Sequence, residues 1–96
     1  MEIRTDDLFF GAYALAEGAE LVGLETAGWN GKRMVRLRLR GRGLGRCEQR
    51  YRTGQATANV TVLKASLTHL KDLVFAELRS AERREERRRP HAPDPR

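Results

Sequence analysis

Asn30-Gly31 is the dipeptide most favoured where a two-residue turn needs positive φ at both central positions, and it separates ELVGLET from RMVRLRLR. A turn of two residues leaves the pairing no freedom, since partner numbers must sum to 61. Thr26 then faces Val35, Leu24 faces Leu37 and Val22 faces Leu39, while Glu25, Gly23 and Leu21 face Arg36, Arg38 and Arg40 on the other side. The apolar residues of both strands fall on one face, which predicts a β-hairpin over about 20–27 and 32–40. Val35, Leu37 and Leu39 should point to the core and the three arginines away from it.

Helical signals surround this hairpin. Thr5, followed by Asp6 and Asp7, starts a helix over about 6–17: its oxygen can accept from a free backbone N–H, and the carboxylates favour the positive end of the helix dipole. Leu8, Ala12, Leu15 and Ala16 recur at helical spacing, with Phe9 and Tyr13 beside them, up to a stop at Gly18. After the hairpin, GRGLGR forms a loop, and Leu44, Cys47 and Tyr51 are spaced for a short helix over about 45–53. Gln55 to Ala58 is extended. Asn59 or Thr61 can cap a long helix over about 60–88 that carries Leu63, Leu67, Leu70, Val74, Leu78 and Ala81 on one stripe. Its last turns are prolonged by Glu82, Glu85 and Glu86 pairing with nearby arginines, and PHAPDPR should be disordered. The expected fold is α+β, with one antiparallel hairpin packed on three helices. Residues 1–80 form the compact domain and 81–96 a charged extension.

Charge is distributed unevenly. Residues 1–31 carry one arginine against six acids, a net of −5, whereas 32–52 carry nine cations against Glu48 alone, a net of +8. Such segregation bears on partners and association rather than on fold. The single cysteine, Cys47, excludes an internal disulfide, and no second cysteine or nearby histidine completes a zinc set. No segment approaches the ~18 apolar residues of a membrane span, and the acidic, polar start does not resemble a signal peptide. A reducing cytoplasmic setting is expected, with no cofactor and no metal.

Arg36, Arg38 and Arg40 would stand about 6.6 Å apart on one strand face, roughly twice the ~3.4 Å phosphate spacing along a nucleic-acid strand. Alternate phosphates could be met by successive guanidinium groups. A plainer reading is a solvated strand whose charges deter edge pairing, and Glu25 should neutralise Arg36. Gly41, Gly43 and Gly45, with Arg42 and Arg46, could present backbone N–H groups to an anion, although their spacing fits neither a dinucleotide fingerprint nor a P-loop. Lys32, Arg33 and Trp29 extend the basic surface to the hairpin tip, where the indole could stack on a base, fold over the sheet or enter a partner protein. His69 has no companion at metal spacing. Asp6-Asp7 is explained by the helix start, and Cys47 by burial. No set of nucleophile, base and stabiliser is present, so no enzyme is expected.

The run RTDDLFFGAYALAEGAELVGLE, a hairpin, and then YRTGQATANVTVLKASLTHLKDLVF resembles a family of short bacterial and mobile-element proteins known only as a domain of unknown function. Thr5, Asp6, Leu8, Gly18, Leu21, Val22, Tyr51, Gly54, Leu70 and Lys71 carry the likeness over residues 4 to about 78. It implies a compact α+β domain and supplies no catalytic residues; the arginines of 33–52 depart from the family's more acidic strand and loop. The chain is also similar to double-stranded RNA-binding domains in having a helix, a hairpin and a final helix with a basic surface. It shows no clear third strand, and NVTVLKAS lacks that family's basic cluster.

Two functions follow as expectations. The first is a small accessory protein binding the backbone of DNA or RNA through Lys32, Arg33, Arg36, Arg38, Arg40, Arg42 and Arg46, with Trp29 beside them. The second is a protein-interaction subunit, acting as a homo-oligomer or within a larger complex, in which two hairpins join or an acidic helix meets a basic window.

Overall fold

In the computed structural model, the described residues are 1–29 and 32–88, with side chains described up to 28 and from 32 to 84. The elements are β1 (Glu2–Thr5), α1 (Leu8–Ala16), β2 (Glu20–Trp29), β3 (Lys32–Arg40), α2 (Leu44–Arg52) and α3 (Val60–Arg88). This is the expected α+β class. The Asn30-Gly31 turn and the PHAPDPR tail lie outside the described residues.

The sheet has three antiparallel strands in the order β1-β3-β2, so Leu37 to Arg40 of the arginine-bearing strand, with Arg38 and Arg40, are flanked on both sides and form no edge, whereas Lys32 to Arg36 have no β1 neighbour. The expected two-stranded sheet gains β1, in which Ile3 pairs with Leu39 and Arg4 with Arg38. Four residues with one inward apolar side chain are too few for a strand period to show in the sequence. Because β1 runs to Thr5, the start of the first helix also moves. Asp7 is the cap, its side chain accepting from Phe10 N at 3.1 Å, and Thr5 Oγ1 accepts from Asp7 N instead.

The predicted hairpin register holds from Trp29–Lys32 down to Gly23–Arg38 and then slips by one residue at a bulge between Leu21 and Gly23. Leu21, not Val22, faces Leu39, and Glu20, not Leu21, faces Arg40. The extra residue lets Leu21 pack on the core and puts a carboxylate beside Arg40.

Val35, Leu37 and Leu39 are buried, as their alternation requires, and the helices pack on this one face of the sheet. Helix α1 is buried through five consecutive residues, Phe10 to Ala14, because β3, α2 and α3 all press on it. A single apolar stripe therefore misassigns it: Phe10 is inside, while Phe9 is 58% exposed. Gly11 is the point of closest approach. A Cβ there would overlap Leu37 Cδ1 and lie 3.2 Å from Leu70 Cδ1, and both leucines are fully buried. Gly18, at φ +100°, ends the helix as expected, and Ala19 N donates to Ala14 O at 2.9 Å.

Asn59, rather than Thr61, caps α3, accepting from Val62 N at 3.2 Å. The inward stripe reaches Ala81, which is buried. Near the hairpin tip, Thr26 Oγ1 donates to Glu77 Oε1 at 3.1 Å, and Arg84 Nη2 binds the same oxygen at 2.9 Å. Arg84 therefore pairs seven residues back along α3. Glu82 makes no ion pair among the described residues, and the side chains of Glu85 and Glu86 lie outside them.

Two outcomes follow. Gly11→Val should lower unfolding free energy by about 1–3 kcal/mol through overpacking, read by urea denaturation. Glu77 titrates below its usual 4.5, chiefly through the hydrogen bond from Arg84 and also through Thr26. Its contribution to stability is present above that value and lost as pH falls through the lower folded-state value. Glu77→Gln should remove this component from the acid limb of a stability–pH curve.

Candidate nucleic-acid interface

The face of the sheet turned away from the helices carries Arg4 on β1, Lys32, Met34, Arg36, Arg38 and Arg40 on β3, and Glu2, Glu20 and Glu25 on the flanking strands. Strand alternation put the three β3 arginines here together, as predicted. It did not reveal their neighbours, because the carboxylates come from strands on both sides. Arg38 Nε and Nη2 both reach Glu2 Oε1, at 3.0 and 2.9 Å, and Nε lies 3.7 Å from Glu25 Oε1. Arg4 Nε is 3.3 Å from the same Glu25 oxygen, and Arg40 Nη2 is 3.1 Å from Glu20 Oε2. Glu25 thus serves Arg38 and Arg4, not the predicted Arg36, although Arg36 is its cross-strand partner.

These pairs are partly exposed, worth ~0–1 kcal/mol each, so they contribute little to stability. Their larger effect is on charge: they occupy two of the three β3 arginines on this face. Arg36 is exposed and makes no ion pair among the described residues. Lys32 is likewise exposed at the start of β3. Arg33 falls on the opposite face with Val35 and Leu37, half-buried, and so leaves the basic row. The Trp29 side chain lies outside the described residues.

Helix α2 holds a second basic group. Leu44 and Cys47 are buried and Tyr51 is half-buried, so the opposite side of the helix faces solvent. Tyr51 anchors this arrangement, with its ring 5.3 Å from Phe10 and 6.3 Å from Tyr13, and its hydroxyl donating to Asp7 Oδ2 at 2.9 Å. Burial and then that hydrogen bond raise the phenol above its ordinary 10.0. Arg46 and Arg50 share the exposed side at i,i+4 spacing, which puts their Cβ atoms roughly 5–6 Å apart. Arg42 precedes the helix, in the turn that follows Gly41. All three are exposed, and none makes an ion pair among the described residues; the α2 carboxylate, Glu48, is 3.5 Å from Arg52. Arg50 is not among the contacts expected from the sequence. Its spacing of four residues from Arg46, itself four from Arg42, is the signal that could have placed it with them.

The β3–α2 turn brings Gly41 N to Met1 O at 3.1 Å, tying the basic turn to the start of β1. Beside it, Glu17, Gly18, Ala19, Gly41, Arg42, Gly43, Leu44 and Cys47 line a cleft of about 320 Å³. Burial and the nearby Glu17 raise the Cys47 thiol above 9.0, against a smaller opposing effect of Arg50. Among the described residues no group of acids, histidines and cysteine could hold a metal ion. No described helix is long and apolar enough to cross a membrane. His69 is exposed on α3.

The chain matches no protein-family model, no curated protein and no solved structure. The resemblance drawn from its motifs therefore rests on the quoted residues alone.

Cys47 should react slowly with Ellman's reagent at pH 8 in the folded protein and rapidly in denaturant. Equal rates in the two conditions would show that the thiol is not buried.

Proposed function

We propose that this protein is a non-enzymatic accessory protein that binds the sugar-phosphate backbone of DNA or RNA, with Arg42, Arg46 and Arg50 as the principal contacts and Arg36 and Lys32 as secondary ones. The observation that carries this reading is the contrast in pairing. Arg38 and Arg40 each meet a carboxylate, whereas Arg42, Arg46 and Arg50 meet none among the described residues; on α2 the carboxylate of Glu48 is taken by Arg52. Like charges stacked at i,i+4 cost a helix roughly 0.2–0.5 kcal/mol per pair, so the arrangement opposes folding and is explained by a bound polyanion. Guanidinium groups suit phosphate because they offer paired donors in one plane. Contacts of this kind position a protein on a nucleic acid without reading its bases.

Fluorescence polarisation against DNA and RNA over a salt series tests the reading. Wild-type affinity should fall steeply as salt rises. Replacing Arg42, Arg46 and Arg50 together by alanine should weaken binding and flatten the log–log salt slope by about one per arginine lost. Replacing Arg38 and Arg40 should change it less. Absence of binding at low salt, or a triple variant with unchanged affinity and slope, would refute the proposal.

A further inference from the structure

The two sides of the sheet end differently. On one side β1 covers only Leu37 to Arg40 of β3, and the stretch of β3 beyond it carries Lys32 and Arg36. On the other, β2 is ten residues long and its outer edge has no strand partner among the described residues. Unpaired N–H and C=O groups along such an edge form a template for another strand. Natural edges are commonly blocked by lysine or proline, and β2 has neither. Its two acids are held in ion pairs on the charged face, Glu20 by Arg40 and Glu25 by Arg4 and Arg38. The bulge disrupts only the start of the strand and leaves residues 23–29 in regular register.

The core is also open along this edge. Leu37 and Leu39 are fully buried, yet their β2 partners Leu24 and Leu21 are only partly covered. Thr26, the midpoint of the regular stretch, is exposed.

We propose that β2 of a second copy pairs antiparallel with this edge about a two-fold axis at Thr26, joining two three-stranded sheets into one of six strands. The regular stretch is self-complementary in that register. Thr26 meets Thr26, Glu25 meets Ala27 and Leu24 meets Gly28, so no like charges face each other and each larger side chain stands opposite a small one. Gly28 has room for this, because a Cβ built there meets only the Lys32 carbonyl oxygen, at 4.0 Å. Pairing at Thr26 keeps both bulges outside the joined strands and covers Leu24 of each copy. The inference stands apart from the nucleic-acid reading, and either can fail without the other.

Sedimentation equilibrium of the full chain, from micromolar to several hundred micromolar, should give twice the monomer mass at the upper end. In a Cys47→Ala background, Thr26→Cys should cross-link to a dimer with a short bis-maleimide, because the two thiols face each other across the axis. Arg36→Cys, exposed on the central strand, should stay monomeric in the same reaction. A monomer at every concentration overturns the proposal. So does a dimer in which Thr26→Cys links no better than Arg36→Cys, since another surface then holds the copies together.

Discussion

The close approach at Gly11 is the constraint on which the rest of the structure depends. With only hydrogen on its Cα, α1 settles against Leu37 of the central strand and Leu70 of α3 at once, and both leucines lose all contact with solvent. A glycine in mid-helix costs about 1 kcal/mol relative to alanine, and here the cost is offset by two tight interfaces. Once α1 is seated, the other positions follow. Tyr51 finds Phe10 and Tyr13 on α1 and Asp7 at its cap, which turns α2 so that its arginines face out. Helix α3 reaches past α1 to the hairpin, where Glu77 takes Thr26 and Arg84 together. The charged face of the sheet is the side these contacts leave open.

The uneven charge of the chain is partly resolved within a single molecule. Glu2, Glu20 and Glu25 belong to the acidic first third, and strand pairing sets them beside Arg4, Arg38 and Arg40. Part of the acidic first third and part of the basic window thus meet side by side in one sheet. Within the basic window, Arg36 and Lys32 on β3 and Arg42, Arg46 and Arg50 around α2 make no ion pair among the described residues. A density of arginine along the sequence is therefore a poor map of available positive charge. Availability depends on which strand lies next to which.

Much of the fold was legible. Alternation over Met34 to Arg40 assigned inward and outward residues of β3 correctly, and the three-and-four spacing from Leu63 to Ala81 located α3. Both are long patterns repeated against one flat or cylindrical surface. Errors arose where a pattern was short or a surface was not single. β1 has four residues, α1 is enclosed on several sides, and the bulge adds a residue that hydrophobicity alone cannot place, since Leu21 and Val22 are both apolar. The candidate site was half legible: Arg36, Arg42 and Arg46 were named, Arg50 was overlooked, and Arg38 and Arg40 prove to be ion-paired.

By itself, the sequence determined the elements whose signals are local: the central strand with its two faces, the long helix, the helix end at Gly18 and the concentration of arginine in 33–52. These depend on side-chain period and backbone preference, which act over a few residues. Only the tertiary structure decided that β1 would join the sheet, that β3 would become its middle strand and that Glu2 would take Arg38. Those outcomes depend on the pairing of segments more than thirty residues apart, which forms only when the N-terminal strand is held beside β3. The physical reason is the range of the interactions: a register or a cap is set within a turn, but the neighbour of a charge is set by the whole fold.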